Sequence, residues 1–176
     1  MDLRLTDQVI IVTDAASGIG QATARLLSEE GAVVVGVDRD PVDAGPGARA
    51  TAVQADLTDP ATPDRVIAAV LERHGRIDAR VNNAGGLQAR TSFLDITDKQ
   101  WLAAFDLNFH VARRMSRAAV PAMLDSGGGS LVHVGSDSGR LPEVGNQDYA
   151  AAKLALLSRQ VTAAEWTVDG GALRQV

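Results

Sequence analysis

The residues best suited to do chemistry are Tyr149 and Lys153, in the stretch "YAAAK". Four positions apart on a helix, their side chains share one face. A phenol that titrates near pH 10 is a poor proton carrier at neutral pH, but an ammonium within a few ångströms favours the phenolate and brings that value down. Moving a hydride to or from a carbinol carbon requires a proton to move at the attached oxygen, and a phenol tuned in this way can move it. Ser136, 13 residues earlier, supplies a hydroxyl that could hold the substrate oxygen. Tyr-x-x-x-Lys is by itself a common accident of composition. Here the tyrosine is the only one in the chain.

A second cluster lies near the N-terminus, in "TDAASGIG", Thr13 to Gly20. A strand that empties into a glycine-containing turn and then a helix presents unpaired backbone N–H groups and the positive end of the helix dipole, which suits a dinucleotide pyrophosphate. A tight turn with no ligand would use the same glycines. Asp38 ends the next strand, 18 residues after Gly20. A carboxylate there can accept from both hydroxyls of an adenosine ribose and would repel a 2′-phosphate. NAD is therefore preferred to NADP, although neighbouring Arg39 keeps NADP open, and a solvated strand end would also explain an Asp. "NNAG" (Asn82 to Gly85) and Ser136 fall at the carboxyl ends of two later strands, where an open parallel sheet forms its ligand crevice.

Positioning these residues requires strands and helices in alternation. "QVIIVT" (8–13), "AVVVGVD" (32–38), "ATAVQAD" (50–56), "IDARVNN" (77–83) and "SLVHVGS" (130–136) have strand length, and the first, second and fifth are apolar on both faces, as in a covered parallel sheet. Helical patterns run over 19–29, 63–74, 97–124 and from Gln147 onward. The alternation predicts a Rossmann-like, doubly wound parallel sheet in a three-layer α/β/α arrangement, expected as a single domain over 1–176. The residues 40–49, rich in Pro, Gly and Asp, read as a surface loop.

Composition narrows the function. The 176 residues are 45% hydrophobic and 22% charged, enough for one core, with a formal charge of -5 and a pI near 5.1. Basic residues are scattered among acids, so no nucleic-acid or anionic-membrane partner is expected. No stretch approaches the roughly 18 apolar residues of a membrane span, and no basic-then-apolar leader opens the sequence. A soluble cytoplasmic protein with a small-molecule partner is the expectation. The absence of cysteine removes disulfides and thiolate chemistry. His74, His110 and His133 lack ligand spacing, so no metal site is expected. Trp101, Phe105 and Phe109 fall at helical spacing and read as packing.

Taken in order, "TDAASGIG", Asp38, "ADLTD" (55–59), "NNAG", Asn108 in "DLNFH", Ser136, Tyr149 and Lys153 make the chain resemble the short-chain dehydrogenase/reductase family, over about 5–157 and again over about 161–172. The resemblance implies an NAD(P)-dependent oxidoreductase that transfers a hydride between a nicotinamide cofactor and a secondary alcohol or ketone. Tyr149 would be the general acid/base and Lys153 would tune it and hold the nicotinamide ribose. Ser136 would orient the substrate oxygen, and Asn108 would anchor a water leading protons to solvent. Thr13, Ser17, Gly18, Ile19 and Gly20 would line the dinucleotide, with Asp38 at the adenosine ribose, Arg39 beside it, Asp56 and Leu57 at the adenine, and Asn83, Ala84 and Gly85 beneath the cofactor. A homodimer or homotetramer through the 97–124 helix is also implied. The alternative is a non-catalytic dinucleotide-binding or scaffold protein built on the same fold.

Three departures stand out. Asp14 occupies the place of a family glycine, and its Cβ restricts the backbone. Arg80 stands in a sheet interior, where a guanidinium must find an acid or an exit to solvent. The family's sixth strand, Pro-Gly turn and substrate lid have no counterpart: after Tyr149 the only glycines are Gly170 and Gly171, and there is no proline. Either these several dozen residues are deleted near 157–161, or the sequence joins segments that flank others. An uncovered sheet edge would invite aggregation, which favours the second reading.

Overall fold

The computed structural model describes residues 3–43, 50–88 and 90–157. They fall into two compact units, the described residues of 3–85 with Val111–Val134, and those of Gly86–His110 with 135–157. Residues 158–176 lie outside the described residues, and with them the expected break after Leu157 and the strand-like "AEWTVDGG".

The first unit is a five-stranded parallel sheet: β1 (Val9–Thr13), β2 (Val33–Asp38), β3 (Thr51–Gln54), β4 (Ala79–Asn82) and β5 (Ser130–His133), in the order β3-β2-β1-β4-β5. The β-branched runs of β1 and β2 form its centre and every residue in them is buried. Successive side chains alternate between faces. Ile10, Val12 and Val34 meet Ala24 and Leu27 of α1 (Gly18–Glu29) on one side. Val9, Ile11, Val35 and Val37 meet Val66, Ile67 and Val70 of α2 (Thr62–His74) and Met115, Ala119 and Met123 of α4 (Val111–Asp125) on the other. Full burial of each Val or Ile contributes about 1.5–3 kcal/mol, so the α/β/α sandwich rests on these central strands.

Two sequence expectations need correction. β5 is not buried on both faces: Ser130 and Val132 are exposed, Val132 by 50%. Apolar composition implies cover only where a neighbour supplies it, and among the described residues β5 pairs with β4 alone. The expected helix over 97–124 is also not continuous. It comprises α3 (Asp98–Phe105), a π-helical turn (Asp106–His110) and α4. Thr97 begins α3 with a capping box, its Oγ1 accepting from the Gln100 N–H while Gln100 Oε1 accepts from the Thr97 N–H.

The second unit contains α3, the π turn, 3-10 turns at Phe93–Asp95 and Asp137–Gly139, and α5 (Gln147–Leu156). α5 packs against α3, the π turn and the 137–139 turn.

Arg80 is the anomaly of the first unit. In β4 it sits in register between Ile11 and Leu131 and has no exposure. It finds neither an acid nor an exit. Its Nη2 donates to the Ala112 carbonyl and to Ser116 Oγ, both at 3.1 Å on α4, while Nε and Nη1 have no hydrogen-bond partner. Burial pushes the guanidinium down to about 9, which still leaves it charged at neutral pH. Replacing a buried, incompletely satisfied charge by an apolar side chain of similar length stabilises a fold by about 1–4 kcal/mol. Arg80→Met is therefore predicted to raise the melting temperature by several degrees at pH 7. A lower midpoint in thermal denaturation would show that the two α4 contacts outweigh the desolvation.

Candidate functional site

At the end of β1 the Thr13 hydroxyl accepts from the backbone N–H groups of Asn83 and Ala84, each at 3.0 Å, and donates to the Val81 carbonyl at 3.3 Å. The carboxyl ends of β1 and β4 are thereby tied together. Asn83 Nδ2 donates to the Asp14 carbonyl at 3.3 Å. Asp14 itself lies in the left-handed region, at φ 57°. Its carbonyl presses on Gly20 so closely that a Cβ there would stand 2.0 Å from the oxygen, so only glycine lets α1 start this near the strand.

The head of α1 is open. Ser17, at the N-cap, makes no side-chain cap bond, the first turn holds no acid, and Ser17, Gly18 and Ile19 are exposed. A helix head whose N-cap side chain makes no cap bond is a fitting seat for a phosphate. Asp38, 7% exposed, accepts from the Ala16 N–H at 2.9 Å and the Asp40 N–H at 3.0 Å. A carboxylate has roughly four lone-pair sites, so two remain for a ribose diol, and the backbone donors hold the group in one orientation. Arg39 is exposed and 3.9 Å from Asp40. Asp56 accepts from the Thr58 hydroxyl and backbone N–H, which hold its carboxyl below the usual range. The Leu57 side chain is buried in the core, so only its backbone is free to meet a base. Asn82, also buried, has no hydrogen-bond partner for either atom of its amide.

In the second unit, Tyr149 and Lys153 share a face of α5, with Lys153 Nζ 5.7 Å from the centroid of the phenol ring. Lys153 is buried at 3% exposure and Tyr149 half-buried. At that distance ammonium and ring attract each other. Ser136 caps the 137–139 turn: its Oγ accepts from the Ser138 N–H and donates to Asp137 Oδ1, each at 3.2 Å. Asn108, in the π turn, accepts from the Gly86 N–H through Oδ1 and donates through Nδ2 to the carbonyls of Gly86 and Ala104, all at 3.0 Å. Both amide hydrogens are thus spent on the backbone, and a water at this side chain could only donate to the second lone pair of Oδ1. One pair that the sequence reading did not single out stands beside the tyrosine: Arg90 Nη1 and Asp148 Oδ2, 2.9 Å apart and largely buried. Their separation of 58 residues leaves no local pattern to detect.

The parallel sheet, with α1 against one face and α2 and α4 against the other, is Rossmann-like. The chain belongs to the short chain dehydrogenase family, whose model matches residues 8–167; the family uses nicotinamide cofactors. It is 35% identical over 155 residues to "short chain dehydrogenase adrF" of Penicillium rubens, covering 87% of this chain and 61% of that protein. It is 33% identical over 171 residues to an NAD-dependent glycerol dehydrogenase of Listeria innocua, covering 94% and 67%. The structure is similar to that of NADH-dependent reductase A1-R′ complexed with NAD, with a TM-score of 0.80, 32% identity, and coverage of 89% of this chain and 71% of that one. The chain thus spans about six-tenths to two-thirds of the length of these curated relatives.

The strained turn generates a prediction. A left-handed non-glycine residue costs about 1 kcal/mol, somewhat less for Asp. Asp14→Gly is expected to raise stability toward that amount, read as a higher urea midpoint, whereas Gly20→Ala should lower it by more, because the opposing atom is a backbone oxygen. A lower midpoint for Asp14→Gly would mean that the aspartate side chain holds the turn.

Proposed function

We propose that the protein is an NAD-dependent oxidoreductase acting on a secondary alcohol or the corresponding ketone. The observation that carries this reading is the Lys153 ammonium lying over the phenol of the chain's single tyrosine. In the oxidative direction the Tyr149 phenol oxygen would take the alcohol proton, with the Lys153 ammonium on the same face of α5 as the charge that favours this transfer. The bound nicotinamide supplies the acceptor for the hydride that leaves the carbinol carbon. Ser136 can turn its hydroxyl from Asp137 to the substrate oxygen, at the loss of one exposed hydrogen bond. The open head of α1 and the oriented Asp38 carboxylate suit a pyrophosphate and an unphosphorylated ribose, which supports NAD over NADP. Two of the similar proteins named above carry NAD or NADH in their names.

A second reading, a dinucleotide-binding protein without turnover, is supported by the Ser136 hydroxyl already being engaged in its own turn. NADH fluorescence on mixing, followed by NADH production across an alcohol panel, separates the two. Tyr149→Phe is predicted to lower kcat by about 10²–10⁴-fold, the usual worth of a general acid or base, and to leave NADH binding unchanged. Near-normal turnover in that variant would remove Tyr149 from the mechanism. Binding without turnover in the parent chain would favour the second reading.

A further inference from the structure

We propose that Arg90 is a positioning residue for Tyr149, acting through Asp148; the proposal rests on the reading of Tyr149 as the proton carrier. Four contacts carry it. The Arg90 N–H donates to the Gly145 carbonyl at 3.1 Å. The Arg90 carbonyl lies against Gly145, where a Cβ would stand 1.8 Å from the oxygen and where φ is +82°, so no other residue fits position 145 without moving residue 90. The Arg90 guanidinium then reaches past Gly145 to Asp148 Oδ2 at 2.9 Å, and the other Asp148 oxygen accepts from the Tyr149 N–H, also at 2.9 Å.

This linkage replaces something α5 lacks. Asn146 sits at its N-cap but caps nothing with its side chain; Oδ1 accepts from the Glu143 N–H, and Nδ2 lies 3.5 Å from Ser138 Oγ. The first-turn N–H of Tyr149 takes its acceptor from Asp148 instead. Asp148 is well placed in the first turn of a helix, where the dipole favours an anion, but its side chain is only 2% exposed. A carboxylate buried that deeply is tolerated only with a partner, and Arg90, 12% exposed, is the cation it has. Without Arg90 the buried carboxylate loses its ion pair, and turning outward to water takes Oδ1 away from the Tyr149 N–H from which it accepts.

Because the chain has one tyrosine, the position of that ring can be read directly and without turnover. Protein labelled with ¹³C-tyrosine gives a single set of ring cross-peaks in the NMR spectrum. Arg90→Met is expected to shift or split them, and Arg90→Lys, which keeps a cation, to return them most of the way. In the enzyme assay kcat for Arg90→Met should fall by about 100-fold, the cost of a misplacement near 1 Å, with the KM for NAD unchanged. Ring signals of folded Arg90→Met that superimpose on the parent's would overturn the proposal whatever the activity. Should Arg90→Met fail to fold, the spectrum of Asp148→Asn decides, unshifted signals again overturning it. Shifted signals together with undiminished turnover in Tyr149→Phe would uphold the linkage and reject the catalytic reading.

Discussion

One hydroxyl sets the geometry around the head of α1. Adjacent parallel strands share a ladder only while they run together, and β1 and β4 part after the Val12–Val81 pair, one entering a turn and the other a loop. The N–H groups of Asn83 and Ala84, just past that point, would be left without acceptors in a region where water is scarce. Thr13 supplies both acceptors and passes its own proton to Val81, using the full capacity of a hydroxyl. With Asn83 so fixed, its amide can hold the Asp14 carbonyl, and that carbonyl in turn abuts Gly20 and sets where α1 begins. The uncapped helix head is therefore placed by a relay from β4 through β1. A side chain that the family resemblance assigns to lining the dinucleotide does its bonding to the scaffold.

The sheet was legible because central parallel strands leave a composition signal that needs no partner to be seen: five and six consecutive buried residues in β1 and β2. β5 carries the same kind of letters yet is half exposed, since burial belongs to what lies alongside and not to the strand itself. The break in the long helix was illegible for a related reason. Nothing in the composition of 106–110 opposes an α-helix, and what accompanies the π turn is a tertiary demand, the need of Asn108 to bond both sides of Gly86 while reaching back to Ala104.

In the candidate site, local pairs were readable and remote ones were not. Tyr149 and Lys153 are neighbours by helical period alone, and the structure stacks them. Asp38 could be singled out as the acid ending a second strand, but not that its oxygens already hold two backbone donors. Leu57 could be matched by motif, but its side chain answers to the core. Arg90 gave no signal, because its meaning comes from Gly145 and Asp148, which only the folded chain brings near.

The two buried arginines show what distinguishes a structural cost from a device. Both bring a guanidinium into surroundings that penalise it, and the penalty does not depend on what the group is for. Arg90 meets a carboxylate, so two charges that would each be costly alone neutralise one another, and the carboxylate is the one that anchors the Tyr149 backbone. Arg80 donates to a carbonyl and a hydroxyl of α4 and leaves two of its nitrogens without hydrogen-bond partners among the described residues, and neither acceptor belongs to a residue assigned a role in catalysis or cofactor binding. A paired buried charge constrains geometry because separating it is expensive in either direction. An unpaired one merely lowers the energy gap to the unfolded chain, and nothing in its surroundings converts that loss into position.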